Sequence, residues 1–271
     1  MRQAHDAARL AGVERSGSTA LLTTIERELT KAPQGQNPAI TASRMHAQIR
    51  ALSGNPDPYR EKKQEATAHA LGLYPHLRQL LAESADPLAT AVRLAIAGNI
   101  IDLGVADEYD LEASIERVLT LQPAIDDMER LRIAVKNADK VLYLGDNAGE
   151  TVLDRLLIET LGKPVTYVVK GGPAVNDATR EDAREAGLEE VCEIIDNGAA
   201  AMGTLLNQCS EVFRKRFDEA DAIIAKGMAN YESLSGTRPN LFFLLQAKCA
   251  VVAADLGVAE KSIVILENRL P

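Results

Sequence analysis

The hydrophobic pattern divides the chain into two parts. Residues 1 to about 137 are rich in Ala, Leu, Arg and Glu and have few β-branched clusters, which is typical of helices. The segment GNPDPY at 54–59 is expected to be a loop, because its two prolines cannot continue a helix. Helices are predicted at about 3–13, 17–31, 39–53, 59–72, 75–84, 87–102, 110–121 and 124–137.

From about residue 139 the pattern alternates between short apolar runs and amphipathic runs. Strands separated by helices of such lengths imply a parallel sheet with right-handed crossovers. We therefore predict an α/β fold, with an all-helical N-terminal domain at 1–137 and a mostly parallel sheet flanked by helices at 138–271. Strands are predicted at 140–145, 165–170, 191–195, 221–225 and 262–266, and helices at 149–161, 178–187, 200–217 and 240–255.

The stretch VLYLGDNAGE at 141–150 places polar side chains at the end of a predicted strand. Asp146 and Asn147 follow a break at Gly145 and precede an amphipathic run. Ligands of open parallel sheets bind outside the carboxyl ends of strands, and the free N–H groups of a helix N-terminus favour anions. Either side chain could simply cap the helix, although one cap does not require both. The pair therefore favours a binding site, with the N–H groups of Ala148, Gly149 and Glu150 as candidate anion contacts.

Small and polar residues also follow the other predicted strands, as expected where several loops line one pocket. The segments are GGPAVND at 171–177, DNG at 196–198 and KGMANYE at 226–232. Structural alternatives remain for each: Asp177 could cap a helix, Asp196 and Asn197 could serve a turn, and Lys226 could lie on the surface.

The side chains of Asp146, Asn147 and Asp177 offer only oxygen ligands, which Mg²⁺ and Mn²⁺ prefer. Lys226 adds a positive charge where a phosphate could bind. A metal, a lysine and a helix N-terminus together suit a phosphorylated substrate. The sequence thus indicates Asp146, Asn147 and Lys226 as catalytic residues, with Asp177 as a further metal ligand.

One polar pair interrupts the apolar helix predicted at 87–102. Asn99 and Asp102 are three residues apart and so share a helix face. Burying such groups without partners costs about 1–3 kcal/mol each. The pair is either a hydrogen-bonded structural feature near the helix end or part of a face that lines a cleft and contacts the substrate.

Composition excludes several classes of function. The net charge of -9 and a pI of about 5.1 argue against a nucleic-acid-binding protein. No apolar run is long enough to span a membrane, and the first residues lack a signal-peptide core, so a cytoplasmic location is expected. The four histidines all lie within the first 76 residues, so chemistry in the second half is expected to use carboxylates, amides, lysine and a metal. The three cysteines are too far apart for a CxxC motif.

Long motifs in the chain resemble those of the DUF89 family, also called the damage-control phosphatase or ARMT1-like family, and specifically its archaeal and bacterial branch. The similar segments are GNPDPYREKK, AVRLAIAGNIIDLGV, LYLGDNAGETVLDRLLIE, KGGPAVNDATREDA, DNGAAAMGT, AKGMANYESL and FFLLQAKCAVVAADLGV. The resemblance implies a Rossmann-like α/β part, a helical N-terminal part and a metal site between them.

The same resemblance implies a phosphatase that needs a divalent metal (Mn²⁺, Mg²⁺, Co²⁺ or Ni²⁺) and acts on small phosphorylated metabolites. By motif position it implies metal ligation by Asp146, Asn147 and Asp177 and functional roles for the pairs Asn99 with Asp102 and Lys226 with Asn230. Two features depart from the family pattern. The CxxC that usually precedes RQAHDAARLAG does not occur here, and the loop at 199–203 lacks the expected proline.

Two other functions stay open at this point. One is an S-adenosylmethionine-dependent carboxyl methyltransferase, although the turn here reads GDNAG and not GxGxG. The other is a non-catalytic protein that binds a phosphorylated metabolite. The oligomeric state is not predictable from the sequence.

Overall fold

The structure is a computed structural model that describes residues 9–12, 23, 38–98 and 111–270. The helices are α1 (Pro38–Ser53), α2 (Arg60–Glu83), α3 (Pro87–Gly98), α4 (Leu111–Thr120), α5 (Met128–Asn137), α6 (Thr151–Leu161), α7 (Arg180–Glu185), α8 (Glu211–Glu219), α9 (Gly227–Leu234) and α10 (Ala250–Leu256). The strands are β1 (Ile125–Asp126), β2 (Val141–Leu144), β3 (Val165–Val169), β4 (Glu193–Asp196), β5 (Ala222–Lys226), β6 (Leu241–Gln246) and β7 (Ile263–Glu267). Short 3₁₀ helices occur at Ala148–Glu150 and Leu188–Glu190.

The strands form one sheet in the order β1-β7-β6-β5-β2-β3-β4. All neighbours are parallel except β6 and β7, so the predicted mostly parallel α/β sheet is confirmed. From β2 the chain moves outward to β3 and β4 on one side, and then places β5 and β6 on the other side. The strand order therefore switches direction between β2 and β5, and the crevice beyond their carboxyl ends is the expected ligand site.

Both faces of the sheet are covered by helices. Strand β2 is buried along its whole length, as expected of a strand with both faces covered. Its side chains alternate, with Val141 and Tyr143 in the core shared with α2 to α6, and Leu142 and Leu144 in the core shared with α8 to α10. The three layers bring the N-terminal helices against the central strands and their loops.

Helix α2 packs directly on the turn that follows β2. A Cβ atom placed on Gly149 would lie 2.9 Å from Cβ of Ala66 in α2, so only glycine permits this approach. Helix α3 packs on α6 and ends beside Glu150, whose Cα would lie 3.4 Å from a Cβ on Gly98. The N-terminal helices thus cover one side of the strand ends.

Two predicted helices in the second part are wrong in extent. Residues 241–246, predicted as helix, form β6, and only Ala250–Leu256 is helical. The run LFFLLQ has no helical periodicity, and the left-handed Asn240 (φ 55°) marks its start. The helix predicted at 200–217 is instead α8, which begins after Ser210, whose hydroxyl accepts a hydrogen bond from the Phe213 N–H.

Other differences are smaller. Helix α2 continues through Pro75, where two helices were predicted, because Ala70, Leu77 and Leu81 lie buried on its inner face on both sides of the proline. The predicted helix at 124–137 begins with a two-residue strand that pairs with β7. Most of the predicted helices at 3–13 and 17–31 lies outside the described residues, as do Asn99 and Asp102.

A buried ion triad joins the loop before α2 to the start of α7. The ammonium of Lys63 lies 2.7 Å from Asp57 and 2.9 Å from Asp182, and its side chain is 2% exposed. Asp182 also accepts a hydrogen bond from the N–H of Thr179 in a capping box. The triad therefore fixes α7 and the residues that precede it against the helical part.

We expect Lys63→Met to destabilise the fold strongly. The change leaves the buried Asp182 and the partly buried Asp57 without their cation, and breaking comparable buried pairs costs about 3–5 kcal/mol. Urea unfolding measures the difference. Lys62→Met is the matched control, because Lys62 is half-exposed and its ion pair among the described residues, with Glu65, is long at 3.6 Å. Equal stability of the two variants would contradict the structural role of the triad.

Candidate active site at the switch point of the sheet

The loops after β2 and β3 are joined beside the switch point. Asn147 and Asp177 form an isolated antiparallel bridge, in which the N–H of Ala178 donates to the carbonyl of Asp146 at 2.7 Å. The bridge thereby brings the three predicted metal-site residues together beyond the carboxyl ends of β2 and β3. Asp146 and Asn147 are each 8% exposed and Asp177 is 3% exposed.

None of these three side chains caps a helix. Asn147 precedes the 3₁₀ helix without a capping hydrogen bond. The N-cap of α7 is Thr179, which satisfies that helix end in place of Asp177. The capping alternative therefore does not explain the residues. The turn alternative does hold for Asp196, which accepts a hydrogen bond from the N–H of Gly198.

The amide of Asn147 has a defined orientation. Its Nδ2 donates to Oε1 of Glu150 and, at 3.4 Å, to Oδ2 of Asp146. Its Oδ1 is then the atom that can accept a hydrogen bond or coordinate a cation. Glu150 is 0% exposed, so its side chain supports Asn147 from inside the protein.

Lys226 lies on the buried side of Asn147 and Glu150 and contacts Glu150. Its ammonium is completely buried and donates to Oε2 of Glu150 and Oδ1 of Asp154, both at 2.8 Å. Burial alone lowers the pKa of Lys226, but the Asp154 and Glu150 carboxylates outweigh it and raise the pKa above its ordinary value. Lys226 is therefore a charged internal residue and not a surface lysine. Its contact with a phosphate stays a prediction, since two of its three N–H bonds are already used.

Asp154 is a site residue that the sequence reasoning missed. It accepts hydrogen bonds from Tyr143 at 2.7 Å and Tyr167 at 2.8 Å, whose rings stack at 5.3 Å. A Cβ on Gly145 would lie 2.4 Å from the Tyr167 hydroxyl oxygen, so a glycine is needed at that turn. The available signal was an acidic residue within the apolar face of the helix, four positions after Glu150.

Lys170 is the second missed residue. Its ammonium lies 3.3 Å from Oδ2 of Asp177 and donates to the carbonyl of Gly203 at 2.7 Å, and the residue is 4% exposed. Like Lys226, it ends an apolar strand and precedes glycine, so the same pattern would have identified it.

Asn230, predicted to contact the substrate, connects the strand-end loops. Its Nδ2 donates to the carbonyl of Lys226 at 2.9 Å and of Gly145 at 3.3 Å. Its Oδ1 accepts from the hydroxyl of Thr204 at 2.8 Å. These contacts support a positioning role, and they leave a substrate contact untested. The positions of Asn99 and Asp102, the other predicted substrate contacts, are outside the described residues.

The hydrogen-bonded network carries excess negative charge. Among the described residues, the network holds the carboxylates of Asp146, Glu150, Asp154 and Asp177 and the ammonium groups of Lys170 and Lys226, and Lys248 acts on Asp146 from nearby. Burial and the neighbouring Glu150 and Asp177 raise the pKa of Asp146 well above its ordinary value, and Lys170 and Lys248 offset this only in part. Burial also raises the pKa of Asp177 to about 6 against the opposing effect of Lys170. The arrangement therefore suits a bound cation.

We expect Asp146→Asn to stabilise the metal-free protein at pH 7. A carboxyl group whose pKa is raised by folding costs stability when it is ionised, so its neutral amide removes that cost. The size of the gain is set by how far folding raises the pKa of Asp146. Thermal or urea unfolding in a chelator at pH 7 measures it, and the difference from wild type should shrink as the pH falls below the folded-state pKa of Asp146. A marked loss of stability at pH 7 would instead support a purely structural role for Asp146.

Comparison with known proteins extends these observations. A family model described as the damage-control phosphatase ARMT1-like domain matches residues 1–264. A damage-control phosphatase from Archaeoglobus fulgidus is 39% identical over 226 residues, covering 80% of this chain and 78% of the relative. A damage-control phosphatase from Pyrococcus horikoshii is 37% identical over 238 residues, which cover 86% of this chain and 82% of the relative.

The fold has a counterpart among solved structures. The crystal structure of a DUF89 family protein from Pyrococcus horikoshii superimposes with a TM-score of 0.90 at 33% identity, covering 98% of this chain and 95% of that chain. The resemblance and the α/β fold expected from the sequence are both confirmed. Within the described ranges, no helix has the length and hydrophobicity needed to cross a bilayer.

Proposed function

Because the chain belongs to the damage-control phosphatase ARMT1-like family, we propose that it is a divalent-metal-dependent phosphatase that hydrolyses phosphomonoesters of small metabolites. Sugar phosphates and damaged phospho-metabolites are the substrate classes expected. The observation that carries the proposal is the buried excess of carboxylate charge at the switch point. A cytoplasmic location remains part of the proposal.

The donor set fits a hard divalent cation. Oδ2 of Asp177 is buried and has no hydrogen-bond partner among the described residues, although Lys170 lies at ion-pair distance. Asp146, Asp177 and Oδ1 of Asn147 would hold the metal. No group of three histidine, cysteine or acidic side chains suited to a metal occurs in the part of the chain described here. Two carboxylates and an amide suit Mg²⁺ or Mn²⁺, since Mg²⁺ usually completes its coordination with water and substrate phosphate.

A metal bound there supplies Lewis-acid polarisation of a phosphoryl oxygen. Residues of the chain itself position the proposed metal ligands. Glu150 accepts from Asn147 and is itself held by Lys226, so it fixes the amide orientation. The burial of Asp146 and Asp177 excludes most water, which strengthens their electrostatic interactions. The attacking group is either a water molecule or the carboxylate of Asp146.

The helical part, 1–137, is proposed to complete the substrate site through Asn99 and Asp102. The described end of α3 supports this, because Gly98 packs on Glu150 at the network. In the same proposal, the division into 1–137 and 138–271 separates a covering helical domain, apart from β1, which joins the sheet, from the metal-binding domain.

The proposed activity is tested with p-nitrophenyl phosphate in the presence and absence of Mn²⁺. Release of p-nitrophenol that depends on Mn²⁺ supports a metal-dependent phosphatase. A methyltransferase or a non-catalytic binding protein predicts no such release. Full activity after chelation and dialysis would overturn the metal requirement.

Asp177→Asn is expected to remove most Mn²⁺ binding, because it deletes one of two charged ligands. Isothermal calorimetry on the metal-free protein measures the affinity. Asp196→Asn is the matched control, since Asp196 lies at the end of the adjacent strand and is paired with Arg180 at 3.1 Å. Unchanged Mn²⁺ affinity in the Asp177 variant would reject the ligand assignment.

A further inference from the structure

A buried hydrogen-bond donor lies next to the proposed metal ligand Asp177. Nδ2 of Asn176 has no hydrogen-bond partner among the described residues, and Asn176 is 6% exposed. An unsatisfied buried amide costs about 1–3 kcal/mol, so it calls for an explanation. Since an amide N–H cannot coordinate a cation, its natural partner is an acceptor such as an anionic oxygen.

The backbone at this position is strained. Val175, which precedes Asn176, has a φ of 55°. A β-branched residue rarely adopts a positive φ, and such strain costs about 1–3 kcal/mol. The start of the same loop packs closely on the loop after β4. A Cβ on Gly171 would lie 2.5 Å from the carbonyl carbon of Gly198, so the two backbones are in direct contact. The conformation that presents Asn176 is therefore imposed by its surroundings.

Lys170 adds a cation to the same loop. Its contacts in this site are one carboxylate, Asp177, at 3.3 Å and the carbonyl of Gly203 at 2.7 Å. Lys226, in contrast, is shared between two carboxylates at 2.8 Å. A divalent cation bound by Asp177 would neutralise the carboxylate that faces Lys170. The ammonium would then need another anion, because like charges a few ångströms apart repel strongly in a buried site.

We propose that the ammonium of Lys170 and the amide Nδ2 of Asn176 bind the phosphoryl oxygens of the substrate. This inference rests on the proposed phosphatase function and deepens it. The oxygen atoms of Asp146, Asn147 and Asp177 face the metal, whereas the N–H donors of the 170–177 loop face the phosphate. Lys226 is then mainly a positioning residue, which holds Glu150 and Asp154.

The experiment separates phosphate binding from metal binding in the full-length protein. Calorimetry first measures Mn²⁺ alone, and then inorganic phosphate added to the Mn²⁺-saturated protein. Lys170→Met and Asn176→Asp should each weaken phosphate binding at least tenfold. Neither should weaken Mn²⁺ binding, since one removes a competing cation and the other adds a carboxylate. Lys215→Met, at an exposed position on α8, is the control and should match wild type in both measurements.

Phosphate affinity within twofold of wild type in both variants would overturn the inference. A parallel loss of Mn²⁺ and phosphate binding would also overturn it, since it would mean that Lys170 and Asn176 only position Asp177. Should Lys170→Met not fold, Lys170→Gln and Asn176→Asp provide the same comparison. Failure of the wild type to bind Mn²⁺ would instead reject the proposed metal-dependent function itself, so the two failures are distinguishable.

Discussion

The buried pairing of Lys226 with Glu150 and Asp154 is the interaction on which the site depends. It connects the end of β5 to the 3₁₀ turn and helix that follow β2, at the point where the strand order reverses. Through Glu150 it orients Asn147, and through Asp154 it anchors the hydroxyls of Tyr143 and Tyr167. The loop after β2 is thus fixed on its buried side by charge-assisted hydrogen bonds, which are stronger than neutral ones.

The same network leaves the negative charge of Asp146 and Asp177 only partly balanced by lysines. Lys226 balances charge deep in the network. Asp177 pairs with Lys170, and Asp146 is affected by both Lys170 and Lys248, yet the pKa values of both carboxyl groups stay raised. An unbalanced pair of buried carboxylates reduces the stability of the metal-free protein, so its presence is understandable where a cation binds. The proposed metal site would account for this part of the network, which stability alone does not favour.

Much of this arrangement was predictable from the sequence. Largely apolar runs predict β2, β3 and β5, and polar residues in the loops after β2 and β3 point to Asp146, Asn147 and Asp177. The strand β6 was not recognised, because LFFLLQ has no periodicity and its burial depends on neighbours in the sheet. Asp154 was not recognised because its partners Tyr143 and Tyr167 lie on two strands. Lys170 shared the local pattern of Lys226, yet its importance depends on Asp177 approaching it in three dimensions.

We infer that a divalent metal balances the excess carboxylate charge at the switch point. The most direct test is anomalous X-ray diffraction from crystals of the full chain grown with Mn²⁺. We expect one strong Mn²⁺ peak with oxygen atoms of Asp146, Asn147 and Asp177 as ligands, at about 2.0–2.2 Å, by analogy with other hard divalent cations. A fully occupied Mn²⁺ site elsewhere, with no peak between these three side chains, would contradict it.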